Sequence, residues 1–558
     1  MSRYLAAVLV AARAARARPP SILFLMPDQW RHQAERRPCP RVSACYALQE
    51  DDTISPTPQN HRRRSSSLRV GRPRSHDWDT RLDELDVPNL RSLAADGTRF
   101  EQAYVQAVVC APSRSCMASL RDYDACGVAT NAANDYDVEI PTYFSALQDA
   151  GYHTMSTGKD DLTKASALGY LLNHSTHNAS DTYHAKELGF SDSIRYSGKN
   201  DVISTYPEPH EAYGYMLNAS TVQLDNGTTV NAYAAHAACH GKAGVDPTLC
   251  DAASFPQNLY EDDWTAQNAV TLLDRAPADR PFMLWVSFPG PHPPFATTAA
   301  MHASTATRTW PLAVDEQKTP RRAQCEDAGG GPGKPRTRCN YAAEIENLDR
   351  LFGTVLDAAT KRDPNIIACA FSDHGEMLDD HDDQDKSKPW QGAVAVPLIC
   401  AGPGISRNRT VAAPAAIYDL GATALDWAGA TQPPNTTACS MRGLLEGEDE
   451  SKRNRTIVLS GLRETSWNEP DPRFDFRLAV GAFGNTTYKY VCCSGICPGS
   501  PSTAPLPDAD NYTRALYDTV ADPFDMTDVK NVYPDVAETL RAALPVAHGF
   551  DCVAAPGR

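Results

Sequence analysis

Two apolar runs far apart in the chain each lead straight into a carboxylate. The run 22–26 is followed by Asp28 and Gln29, and the run 366–371 by Ser372, Asp373, His374 and Gly375. Oxygen donors of this kind suit Ca2+ or Mg2+, while an imidazole such as His374 is a less usual partner for hard ions. Two further runs behave alike: 153–157 leads to Gly158 and Lys159, and 282–288 to Pro291, His292, Pro293 and Pro294. A fifth group, Cys110-Ala111-Pro112-Ser113-Arg114, follows the mostly apolar stretch 105–109. Pro112 suits the first turn of a helix, which puts Cys110 at a helix N-terminus, where the dipole favours anions. Taken singly, Asp and Gly mark turns after strands, and a Cys is a buried thiol or a disulfide partner. The joint pattern points to a site.

These residues meet only if the elements behind them share one sheet. The short apolar runs 22–26, 282–288, 366–371 and 396–400 read as buried strands, and 140–151 and 341–360 as helices. Alternating buried strands and helices predict an α/β fold with a large, mostly parallel sheet flanked by helices. In such sheets ligands bind beyond the carboxyl ends of the strands, so polar groups hundreds of positions apart converge on one edge. The tail from 451 has alternating stretches such as 477–490 and a helical pattern at 536–544, which predict a smaller α+β domain over 451–558. The catalytic domain is expected over 21–450. Segment 31–86, rich in Arg, Ser and Pro, reads as an irregular, disordered insertion, and 327–334 as a flexible surface loop.

The 558 residues suffice for one large core and a smaller domain, and 42% hydrophobic with 22% charged residues is ordinary for a globular protein. The net charge of −16 argues against nucleic acid as a partner but leaves room for an anionic substrate, because a pocket can be locally positive. Residues 1–20 read as a signal peptide: Arg3 precedes an apolar core at 4–12, although Arg13, Arg16 and Arg18 also suit a transit peptide. Asn173, Asn178, Asn218, Asn226, Asn408, Asn435, Asn454, Asn485 and Asn511 begin Asn-x-Ser/Thr triplets. Chance gives about three, which favours the secretory route. The 16 cysteines agree with an oxidising compartment, and Cys239 with Cys250 and Cys325 with Cys339 lie close enough to pair. Secretion or a secretory-pathway lumen is expected, extracellular or lysosome-like, with no transmembrane segment.

The pentapeptide Cys110-Ala111-Pro112-Ser113-Arg114 resembles the signature of the formylglycine-dependent sulfatases of the alkaline phosphatase superfamily. Val87-Pro88-Asn89-Leu90, Gly158-Lys159, the stretch 344–353, the stretch 372–378, Gly402-Pro403-Gly404 and Leu516-Tyr517-Asp518 resemble further family motifs in the same order. The resemblance implies that Cys110 is oxidised to formylglycine by the formylglycine-generating enzyme during maturation. One hydroxyl of the hydrated aldehyde attacks sulfur and the second expels sulfate. A divalent cation, Ca2+ with Mg2+ or Mn2+ as alternatives, is implied at Asp28, Gln29, Cys110, Asp373 and His374. Lys159 and Lys386 are implied as sulfate ligands, His292 as the group on the leaving oxygen, and Arg114 as the partner of the formylglycine.

Three positions depart from the family pattern. Ser119-Leu120-Arg121 stands where Thr-Gly-Arg is common, and the missing Gly bears on recognition by the modifying enzyme. Asp161 stands where a His often follows the Gly-Lys lysine; it reads as a ligand for a cationic or hydroxylated substrate group, as a balance for Lys159, or as a structural carboxylate. Gln29 replaces the second Asp of many members, removing one negative charge from the metal site. The resemblance implies a sulfated small molecule or glycan as substrate. Two other readings stay open: a phosphate or phosphonate ester hydrolase of the same superfamily, and an inactive secreted binding glycoprotein.

Overall fold

The computed structural model describes residues 18–32, 85–131, 135–162, 186–249, 255–311, 313, 322–324, 335–453, 455–464, 475–495, 497 and 512–552. The signal-peptide core, most of the 31–86 insertion, the loop 327–334, Asn173, Asn178, Asn454, Asn511, Cys250 and Cys325 lie outside the described residues.

Eight strands form the main sheet: β1 (Ser21–Pro27), β2 (Gly97–Phe100), β3 (His153–Lys159), β4 (Asp192–Tyr196), β5 (Phe282–Phe288), β6 (Ile366–Phe371), β7 (Leu398–Ala401) and β8 (Arg409–Val411). Their order across the sheet is β8-β2-β7-β6-β1-β5-β3-β4. Every pairing is parallel except the two made by β7, so β7 alone runs against its neighbours. The expected α/β class with a mostly parallel sheet is therefore the observed one. The reading of 396–400 as a strand shifts to Leu398–Ala401.

The apolar runs are continuous because the sheet is covered on both faces. Ile22, Phe24 and Met26 join one hydrophobic cluster, while Leu23 and Leu25 join the other. Helices α2 (Glu261–Arg275) and α3 (Pro335–Arg362) cover the second face. The first face carries α1 (Cys110–Ser119), all of whose residues are buried. The same cluster takes in Val458, Leu462, Phe476 and Leu478 from a four-stranded antiparallel sheet near the C-terminus. That sheet and the helix Pro534–Ala542 are the expected α+β tail, and Gly461 donates its N–H to the Gln106 carbonyl just before α1.

The ends of the irregular insertion belong to the fold. Arg31 is buried and pairs with Asp380 at 2.8 Å, His32 donates its N–H to the Ala395 carbonyl, and Leu85 lies in the second core cluster. The boundary drawn at residue 31 thus falls too early. Cys369–Cys400, Cys492–Cys552 and Cys493–Cys497 are disulfides. Cys239 and Cys339 are also disulfide-bonded. No helix among the described residues is long and apolar enough to cross a membrane.

Gly158, one residue before the end of β3, has φ +90°, and a Cβ there would lie 1.9 Å from the Ser287 carbonyl oxygen of β5. Gly158→Ala therefore meets both a left-handed backbone and a clash between paired strands, and is expected to cost about 2–4 kcal/mol. Equilibrium denaturant unfolding checks this; an unchanged midpoint would show that β3 and β5 can separate freely.

Candidate active site

Because the strands run parallel, the residues that follow β1, β3, β5 and β6 emerge at one edge. Asp28 is fixed there by donating its N–H to the Phe288 and Gly290 carbonyls at 3.0 Å. Gln29 follows at φ +72°, its N–H held by Asp373 Oδ1 at 3.0 Å. His374 donates its N–H to the same oxygen at 3.0 Å. Cys110 is the first residue of α1, after Val109 in extended conformation, so it stands at a helix N-terminus as expected.

Asp28, Cys110, Asp373 and His374 each offer a ligand atom, and these four atoms lie within 4.8 Å of one another, all buried. The Cys110 thiol stands 3.2 Å from His374 Nε2 and 3.7 Å from Asp28 Oδ1. His374 Nδ1 faces the Gly375 carbonyl at 3.0 Å, so Nδ1 carries the proton there and Nε2 points at the cluster. Two carboxylates, one oriented imidazole nitrogen and one further donor fit a divalent cation. Gln29 differs from its expected place: its Oε1 accepts from Lys386 Nζ at 2.6 Å and its Nε2 donates to Glu376 and Asp385.

Cations surround this cluster. Lys159 Nζ bonds Asp28, reaches Asp161 at 3.2 Å, and lies 3.4 Å from the Cys110 sulfur. Arg114 pairs with Asp373 at 2.8 Å and donates to Ser287 Oγ at 2.8 Å and to the Lys159 carbonyl. Lys386 Nζ meets His292 Nε2 at 2.8 Å, while His292 Nδ1 donates to the Pro293 carbonyl at 2.6 Å. Burial alone would raise Asp28, but Lys159, His292 and Arg114 outweigh it and hold its carboxyl well below the usual range. Burial and then the Asp28 charge push Asp373 up. Burial and Asp28 act against ionisation of Cys110, yet Lys159, Lys386 and His374 bring its thiol down to about 7. His292 is pushed down to about 3 by burial and then by Lys386.

All ten residues singled out from the sequence thus lie in one connected network. Four of its members went unnoticed. Glu376, whose carboxylate receives the N–H groups of Leu378 and Asp385, sits inside the motif quoted for its Asp and His. Asp385 adjoins Lys386. Ser287 and Asn131, which accepts the Ala111 N–H at 2.9 Å, carry no sequence signal.

The family profile described as Sulfatase matches residues 70–430. Choline-sulfatase of Rhizobium meliloti is 25% identical over 475 residues, covering 81% of this chain and 79% of that protein. The fold resembles a phosphonate monoester hydrolase from Silicibacter pomeroyi, with a TM-score of 0.59, 18% identity and coverage of 93% and 92%. It also resembles a protein solved in complex with its substrate D-glucosamine-2-N,6-O-disulfate, with a TM-score of 0.57, 16% identity and coverage of 94% and 96%.

A cation held by this cluster stabilises the native state by mass action. Ca2+ at about 100 times its dissociation constant is expected to add about 2.7 kcal/mol, relative to a chelator control. Asp373→Asn is expected to lose most of that increment. An equal increment in the variant, read by denaturant unfolding, would remove Asp373 from the site.

Proposed function

The chain belongs to the sulfatase family, and from that premise we propose that it hydrolyses sulfate monoesters through a formylglycine made from Cys110 beside a bound divalent cation. The observation that carries this is the Cys110 thiol, buried at a helix N-terminus within 3.7 Å of Asp28, His374 and Lys159. Its sulfur marks the place of the oxygens that the modified residue presents. Formylglycine, as its hydrate, supplies one hydroxyl to attack sulfur and a second to release sulfate. Asp28, Gln29, Asp373, His374 and residue 110 would hold Ca2+, or Mg2+ or Mn2+, which would supply a Lewis acid that lowers the hydroxyl pKa and neutralises sulfate charge.

The chain's own groups do the rest. Lys159 and Lys386 approach the cluster from two sides and bind sulfate oxygens where charge develops. Asp28 and Asp161 steer the Lys159 ammonium, and Gln29 and His292 steer that of Lys386. Arg114 locks Asp373 to the end of β3 and so holds residue 110 against the ion. His292 stands at the leaving-group side. Its Nε2 accepts from Lys386, so the arriving negative sulfate must draw that ammonium away before Nε2 is free to face the leaving oxygen.

The catalytic unit spans 21–450, with 451–558 as a subdomain packed on it. The disulfides support maturation in an oxidising lumen. So do the described glycosylation triplets at Asn218, Asn226, Asn408, Asn435 and Asn485, all exposed. The choline-sulfatase relative supports a small sulfate ester as substrate, and the disulfated glucosamine neighbour supports a sulfated sugar. The likeness to a phosphonate monoester hydrolase favours one second reading, hydrolysis of phosphorus esters.

Mass spectrometry of the peptide spanning residue 110, from protein expressed with the modifying enzyme, is expected to show a loss of about 18 Da relative to the thiol. An intact thiol or a disulfide there overturns the catalytic reading and favours an inert glycoprotein. Lys386→Ala is expected to lower kcat/KM on an aryl sulfate by about 10²–10³-fold. Faster turnover of the matched aryl phosphate by the unsubstituted enzyme would install the second reading instead.

A further inference from the structure

Beside the His292 segment lies a small cavity of about 20 Å³ that the chemistry above does not use. Its walls include His236 and His240 from the helix Ala232–Cys239 and the residue after it, Tyr260 and Glu261 at the start of α2, Phe255, and Ala296. Ala296 belongs to the same segment as His292, and its carbonyl accepts from the Tyr260 hydroxyl at 3.0 Å. The turn before His292 is tied to the same wall, because Gly290 donates its N–H to Asp262 at 2.9 Å.

Alongside the hydroxyls of Tyr260, Thr297 and Thr298, this cavity is lined by residues whose acceptor atoms lack partners. His240 Nδ1 lies 2.8 Å from the His236 carbonyl, so Nδ1 donates there and Nε2 keeps a lone pair. His236 uses its other nitrogen on the Lys199 backbone. Both Nε2 atoms are buried without a hydrogen bond, and so is Glu261 Oε1, whose nearest cation is Lys199 at 3.5 Å. Exposure is 2% for His236 and 1% for Glu261. Burial holds both imidazoles below the usual histidine range, which keeps them acceptors. Behind this wall Asp262 Oδ2 and Glu344 Oε1 are also buried without hydrogen bonds, and Lys199 is the cation paired with Glu261 and Glu344. Burial pushes Asp262 up to about 7 and Glu344 up to about 8, so both carry reduced negative charge near neutral pH, and the attraction for a cation at the cavity wall comes from Glu261 together with the faces of Tyr260 and Phe255.

Three buried acceptors without hydrogen bonds, on residues that line one aromatic-walled cavity, call for a cation that brings several N–H donors. We propose that this cavity is a subsite for a primary ammonium group on the leaving alcohol, so that the preferred substrates are sulfate esters of amino sugars or amino alcohols. The sulfate then sits between Lys159 and Lys386, and the carbons of the alcohol pass His292 to place the ammonium against Glu261, His236 and His240. A quaternary ammonium has no N–H to offer and satisfies none of the three acceptors. This assignment rests on the sulfatase reading for its substrate, but not for its binding chemistry.

The test compares kcat/KM of the modified enzyme for 2-aminoethyl sulfate, ethyl sulfate and choline sulfate, with an aryl sulfate as control. The amine is expected to exceed ethyl sulfate by about 10²-fold, because a site built to pair polar groups rejects the analogue that lacks them. Glu261→Gln and, separately, His240→Phe are expected to collapse that ratio toward unity while turnover of ethyl sulfate and the aryl sulfate stays as it was. Equal rates for amine and ethyl esters, preference for choline sulfate, or equal losses on every ester in both variants overturn the subsite. If no sulfate ester turns over, the sulfatase reading fails by itself. Binding of ethanolamine to the same protein, read by saturation-transfer NMR and lost in Glu261→Gln, then decides the subsite: no signal, or a signal unchanged by the substitution, overturns it.

Discussion

Two carboxylates with no exposure to water, Asp28 and Asp373, set the terms for the rest of the molecule. An isolated buried charge is prohibitively costly, so each must be matched by cations and N–H donors that arrive with correct geometry. The matching groups come from every part of the chain: Lys159 from β3, Arg114 from α1, and Gln29 and His374 through their N–H groups. The cost of burying the pair is offset only when β1, β3 and β6 are in register and α1 is docked. The same pair repels itself, which pushes Asp373 up and favours a divalent ion between the two. Stability of the fold and readiness of the site are therefore one electrostatic problem.

How far the sequence discloses this depends on the kind of signal. Buried parallel strands are apolar on both faces, so β1, β5 and β6 stand out as uninterrupted runs, and the polar residue that ends each run is also the residue that reaches the site. The edge strands β4 and β8 are short and mixed in character, with Arg195 and Arg409 among them, and nothing in their composition separates them from loops. The boundary at residue 31 fails for a related reason: Arg31 looks like the first of a basic, irregular stretch, yet it is buried against Asp380, a partner 349 positions away. Glu376 and Asp385 are acidic residues in an acidic stretch, and only the turn that folds that stretch back on Gln29 gives them a task. The cavity beside His292 draws its walls from four separate segments and has no linear signature.

Leu120 shows a departure from a pattern and its compensation in one residue. It ends α1 with φ 58°, the left-handed conformation that a glycine adopts at no steric cost and that other residues adopt at roughly 1–2 kcal/mol. The side chain is fully buried, and a Cβ at Gly421 would lie 2.5 Å from it, so the neighbouring helix has given way to make room. Burying a leucine contributes about 1.5–3 kcal/mol, enough to offset the strained backbone. Leucine here therefore keeps the turn that a glycine would make, and leaves the folded end of the nucleophile helix intact.

Asp161 bears on the choice between sulfur and phosphorus chemistry. It stands 3.2 Å from the Lys159 ammonium, where a neutral imidazole would leave Asp28 as the carboxylate partner of that charge. Lys159, Lys386 and Arg114 face Asp28, Asp161, Asp373, Glu376 and Asp385 in this network, so its cations already have carboxylate partners. A sulfate monoester brings one negative charge to such a pocket; a phosphate monoester brings close to two near neutral pH. In a dry pocket the additional charge has no fixed partner and its desolvation goes unrepaid. On the proposed reading, the carboxylate at position 161 would favour a monoanionic ester, sulfate or phosphonate, over a dianionic phosphate monoester. It does so through Lys159, without touching the ester, because each unit of charge taken from that lysine weakens its hold on a dianion more than on a monoanion.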